Sequence, residues 1–165
     1  MVESLSREIN SATTSNVADL DRLYREQAPR MWRALTAYTG SRDVAQDAVA
    51  EAFAQAIARG AEIRSPQHWV WKAAYRIAAG ELKRRGTCTE LVGDDPVTVD
   101  EPAWEIRAAL ARLSPMQRSA VILHYYAGYP AADIAEITGS TTAAVWVHLS
   151  RGRRHMARLL EDDDD

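Results

Sequence analysis

Apolar residues recur at spacings of three and four along almost the whole chain, and no run alternates at period two. Such a pattern predicts an all-α protein. At 165 residues and 18.3 kDa the chain suffices for one ordinary domain or two small ones, too little for a large enzyme core. Residues 1–18, rich in Ser, Thr and Asn, read as a flexible N-terminus. A first helix is expected from near Asp19 to Tyr38, with Pro29 kinking or breaking it. A second starts after Ser41, carries Val49, Phe53, Ala56 and Ile57 as its apolar stripe, and ends at Gly60.

Ser65 followed by Pro66 is a helix start, and the segment PQHWVWKAAYRIAAGELKRRG continues from it. Spacing puts Trp69, Ala73 and Ile77 on an apolar face and leaves Trp71 assignable to either side. Lys72, Arg76 and Lys83 form a separate basic face, within about 40° of one another.

Charge divides the chain. Thr87 to Ile106 holds six acids and no base, and Glu161 to Asp165 adds five more. Those stretches take eleven of the 23 acids, so the other 140 residues carry 12 acids against 20 Lys and Arg, about +8. Residues 87–102, with Gly93, Pro96 and Pro102, read as an acidic linker between domains spanning 19–86 and 103–160, with 161–165 as an acidic tail. The positive excess argues for a polyanionic partner.

The second domain predicts a short helix in WEIRAALARL, a further start at Ser114-Pro115 with Gln117 placed for a capping box, and a short helix from Pro130 to Thr138. Gly139 turns the chain and Thr141 caps a last, basic helix. This is a helix-turn-helix pattern, with Val145 and Leu149 anchoring the last helix and Trp146, Val147 and Ser150 facing outward.

Several classes are excluded or left without support. No run reaches the roughly 18 apolar residues of a membrane span, and no basic stretch followed by an apolar one opens the chain, so a cytoplasmic location without membrane insertion is expected. Cys88 has no second cysteine to pair with, and His68, His124, His148 and His155 lack ligand spacing, so no metal or cofactor is expected. No nucleophile, base and orienting group converge in any motif, which leaves no catalytic residue and no small-molecule substrate to assign.

Taken together, DLDRLYREQAPRMWRAL, AQDAVAEAF and HWVWKAAYRIAAGELKRR in the first half, and LSPMQRSAVILHYYAGYPAADIAEITGSTTAAVWVHLSRGRRHM in the second, resemble the extracytoplasmic-function (group IV) sigma factors of bacterial RNA polymerase. The likeness spans about Leu20 to Leu160. It implies a promoter-specificity subunit that binds core RNA polymerase and promoter DNA, with an anti-sigma factor as a further partner, and that does no bond chemistry itself.

By that resemblance Asp43, Asp47 and Glu51 would meet polymerase. Lys72, Tyr75, Arg76, Lys83, Arg84 and Arg85, with Arg64 and Glu62 in the preceding loop, would hold the single-stranded minus-10 element. Thr141, Thr142, Trp146, Val147, His148, Ser150, Arg151, Arg153 and Arg154 would hold the duplex minus-35 element. The chain departs from the family pattern at Tyr75, Arg76 and Gly80 and again across Ala143 to His148, where polar base-reading groups are replaced by apolar ones. That departure keeps two alternatives open: a sigma-like adaptor with weakened promoter reading, and a free-standing helix-turn-helix regulator.

Overall fold

The structure, a computed structural model, describes residues 2–85 and 101–162. Among the described residues there is no strand and seven α-helices follow one another: α1 (Val2–Thr39), α2 (Arg42–Arg59), α3 (Pro66–Arg85), α4 (Glu101–Ala111), α5 (Pro115–Val121), α6 (Ala131–Thr138) and α7 (Thr142–Asp162). A 3-10 turn, Gly60–Glu62, joins α2 to α3, and a π-helical turn, Ile122–Tyr126, prolongs α5. The stretch expected to link the halves lies outside the described residues except for Glu101 and Pro102, which open α4.

α1 differs from expectation at both points where a break was foreseen. It begins at Val2 rather than Asp19, because neither Gly nor Pro interrupts the chain before Pro29. Pro29 lies inside the helix without ending it. Its neighbours Ala28 and Met31 are both completely buried, and their packing outweighs the one backbone hydrogen bond that proline removes.

α1, α2 and α3 pack pairwise. Alanines at 45, 48, 52 and 56 on α2 and at 74 and 78 on α3 are all fully buried, which lets the backbones approach closely around Met31, Val49, Phe53 and Val70. Ser41 caps α2 by accepting a hydrogen bond from the Val44 amide at 3.3 Å. In the second half Ser114 caps α5 through the Gln117 amide, and α6 packs on α7 through Ile134, Ile137, Val145 and Leu149.

The two halves share one buried cluster. Trp71, on α3, is the tryptophan that goes inside, while Trp69 is half-buried with the Arg59 guanidinium 5.5 Å from its ring centre. The apolar face of α3 is therefore centred one to two residues beyond the expected one. Helix α3 must cover α1 and α2 on one side and α6 on the other, a demand its own periodicity does not reveal.

Arg118 joins the halves most directly. It is 3% exposed and donates to Leu110 O at 2.8 Å, Tyr38 O at 2.9 Å, and Ala111 O and Leu113 O at 3.0 Å. These carbonyls belong to the end of α1, the end of α4 and the turn after it. A cation at helix C-termini satisfies orphan carbonyls and the negative end of the dipole together.

Two substitutions test this packing. Arg118→Lys keeps the charge but not the fork, and is expected to lower stability by about 3 kcal/mol in denaturant unfolding, since several charge-assisted bonds are lost. Gly152 is buried where α7 crosses α5, and a β-carbon there would lie 2.8 Å from Val121 Cγ2. Gly152→Ala should cost about 1 to 3 kcal/mol despite its better helix propensity, and adding Val121→Ala should recover part of the thermal midpoint.

Candidate nucleic-acid and polymerase interfaces

The last helix is positioned by a tight turn. Gly139 adopts φ 68°, its amide returning to Ala135 O, and Thr141 Oγ1 accepts from the Ala144 amide at 3.2 Å. A left-handed glycine between two helices is what turns the chain here. With Val145 and Leu149 inside, Thr141, Thr142, Val147, Ser150, Arg151, Arg153 and Arg154 are all exposed.

Trp146 is 56% exposed, but its ring lies edge-on to His124, which in turn meets Tyr125 edge-on at 4.9 Å. Arg153 donates to the Tyr125 hydroxyl at 3.3 Å, so Trp146 and Arg153 form a ridge along one flank of α7. His148 does not face outward. It is half-buried with Nδ1 enclosed, because its position on the helix turns it back toward the packed side.

On α3, Arg76, Lys83, Arg84 and Arg85 are exposed, Lys72 is half-buried, and Arg64 is exposed in the preceding loop beside Glu62. Glu81 grips the end of this track, paired with Arg84 and with Arg85 Nε at 2.7 Å. Two of the six candidates thus have part of their charge offset locally.

Tyr75 is not on the track at all. It is 6% exposed, its hydroxyl 2.5 Å from Ser119 Oγ and 3.5 Å from the Tyr38 hydroxyl. Ser119 Oγ also donates to Pro115 O at 2.7 Å, so the Tyr75 hydroxyl sits in a buried chain of hydroxyls between Tyr38 and Ser119. Contact with the second half removes Tyr75 from the surface on which a base would stack.

The second half covers this side of α3 with further aromatic contacts. Tyr129 meets Trp71 and His68 edge-on, both at 5.8 Å, and Arg30 reaches from α1 to Tyr126 O at 2.6 Å. Arg30, Glu81, Arg118, Ser119 and Tyr129 all escaped the reading of the sequence. The available signal was Arg118 four residues before Ile122 on a stripe that is otherwise buried.

Burial chiefly, and then the nearby Tyr38, pushes the Tyr75 hydroxyl well above the usual phenol range. Burial and the charge of Asp133 push Tyr129 up to about 12. The three acids of α2, Asp43, Asp47 and Glu51, are exposed on the side away from Phe53, and Glu51 accepts from Gln55 Nε2 at 2.8 Å. The acidic candidates thus lie on α2, and the basic ones on α3 and α7. Among the described residues no helix is long and apolar enough to cross a membrane.

Residues 103–156, which hold α5, α6 and most of α4 and α7, match the family model for sigma-70, region 4. Over a larger part of the chain, the sequence is 31% identical to the ECF RNA polymerase sigma factor SigJ of Mycobacterium tuberculosis, covering 77% of this chain and 47% of that protein. The chain thus carries a sigma-70 region 4 domain and is similar to an extracytoplasmic-function sigma factor. The chain spans about half the length of that relative.

Its fold is also that of solved sigma factors. The sigma factor RpoE of Bartonella quintana, crystallised with the anti-sigma factor NepR, superposes with a TM-score of 0.75 at 21% identity, over 87% of this chain and 97% of that one. CnrH, solved with the cytosolic domain of CnrY, gives 0.70 at 18% identity, over 93% and 95%.

The two buried phenols set a pH dependence. Because folding raises their pKa, their contribution to stability is complete below about pH 10 and is lost as pH rises, for Tyr129 through about pH 12. Unfolding midpoints should fall over that range, and less steeply in Tyr129→Phe and Tyr75→Phe. Phenolate absorbance of the folded chain should show Tyr75 and Tyr129 resisting ionisation at about pH 11, a resistance that disappears with each phenylalanine variant.

Proposed function

We propose that this chain is a promoter-specificity subunit of bacterial RNA polymerase, working in the cytoplasm and making or breaking no bonds itself. The observation that carries the reading is the region 4 match over residues 103–156 on a fold that aligns nearly end to end with sigma factors. In this reading Asp43, Asp47 and Glu51 meet core polymerase through rim-type electrostatics, which set encounter and register. The α3 track with Arg64 holds the minus-10 strand, and α7 sits on the minus-35 duplex.

The RpoE neighbour was solved with an anti-sigma factor, and a partner of that kind is proposed here too. Promoter binding also requires the halves to part. Helix α3 packs on α6 and α6 on α7, so the two DNA-binding helices lie about 20 Å apart at ordinary packing distances. Elements some 25 base pairs apart are separated by about 85 Å of duplex at 3.4 Å per pair. Opening would release the Tyr75 to Ser119 and Arg118 to Tyr38 contacts and expose Tyr75 beside the basic track.

Reconstituted with core polymerase, the chain should support run-off transcription from a subset of genomic promoters. Asp47→Lys with Glu51→Lys should weaken core binding at least tenfold, most at low salt. Fluorophores placed at Gln46→Cys and Ala157→Cys, with Cys88→Ser, should move apart when polymerase and promoter are added.

The apolar outward face of α7 favours a second reading, a sigma-like adaptor. Core binding without transcription from any genomic fragment would select it. Sequence-specific duplex binding without any affinity for polymerase would instead mark a free helix-turn-helix regulator.

A further inference from the structure

Helix α7 has one face that neither the packing nor the flanking ridge occupies. At about 100° per residue, Ala143, Val147, Ser150, Arg151, Arg154 and Arg158 fall within a sector of about 100°, opposite the buried Val145, Leu149, Gly152 and Leu159. All six are exposed. Trp146 and Arg153 lie outside this sector, leaning on His124 and Tyr125.

Along the axis the sector changes character. Its N-terminal part carries the methyl groups of Ala143 and Val147, the latter 46% exposed, and the next turns carry Ser150 and three arginines. Arginines without an intervening acid suit phosphates, which hold a helix in the groove without specifying sequence. In such docking the N-terminal part of the recognition helix meets base edges. There the apolar group that a base pair displays in the major groove is the C5-methyl of thymine.

From this face we infer that the chain selects its duplex element by thymine methyls, with Ala143 and Val147 as the specificity-determining residues and Trp146 as a flank rather than a base reader. The inference rests on the sigma factor reading and deepens it. It also accounts for the loss of polar groups from Ala143 to His148: the hydrogen-bonding code is replaced by an apolar one.

The test compares thymine with deoxyuridine, which pairs identically and lacks only the methyl. The reconstituted holoenzyme selects from a random-sequence duplex pool, and the recovered upstream element is resynthesised with deoxyuridine at each thymine in turn. Affinity should fall about fourfold at each contacted position, the factor for one buried methyl-sized group. Val147→Ala should bind the thymine duplex more weakly and lose the distinction there, while Arg154→Gln should weaken both duplexes equally.

Equal affinity of the wild type for both duplexes overturns the inference. So does a Val147→Ser variant that loses core polymerase and keeps duplex binding, since the face would then belong to a protein contact. Run-off transcription from the same fragment separates the two levels: if it persists while uridine is tolerated, the sigma reading stands and the methyl inference fails. If core binding is absent, the sigma reading fails, and the same comparison on the chain alone decides the methyl inference.

Discussion

Arg118 holds together what the rest of the structure depends on. One guanidinium reaches the final carbonyls of α1 and α4 and the turn that follows α4. Without it, two helix ends and a buried junction would leave several acceptors unsatisfied. The aromatic contacts around it, Tyr75 with Ser119 and Trp71 with Tyr129, form in the geometry this clamp establishes. The junction is polar at its centre and aromatic at its margin, a composition that hydrates readily when opened. That suits a boundary between modules better than the interior of either.

The charge layout follows from the same architecture. Helix α2 buries its alanines against α1 and α3 and turns its acids out, while α3 and α7 turn out bases. A single sign on the outward face of each helix keeps the acidic and basic surfaces from neutralising one another. Glu81 is the local exception, and it restrains Arg84 and Arg85 at the end of the α3 track.

Much of this was legible from residue spacing. The boundaries of α2, the start of α3, the Gly139 turn and the inward placement of Val145 and Leu149 all follow from caps and periodicity, which are local. The start of α1 is less legible, because the polar residues before Asp19 carry no apolar stripe and yet none of them breaks a helix. Trp69 and Trp71 were assigned less well, since two tryptophans two apart on one helix are separated only by what packs against each side. Tyr75 and His148 were placed outward for the same reason: a resemblance transfers positions, whereas burial depends on neighbours from the other half.

The amino-acid sequence by itself determined an all-helical chain, a helix-turn-helix near its end, and a basic excess set apart from acidic stretches. Those properties are encoded within a few turns of helix, where spacing and capping act. Only the tertiary structure decided that Trp71 and Tyr75 lie between the halves, that Arg118 fastens α1 to α4, and that Trp146 stands aside from the face of α7. Each of these rests on contacts between residues tens of positions apart, formed by packing geometry that no local pattern carries.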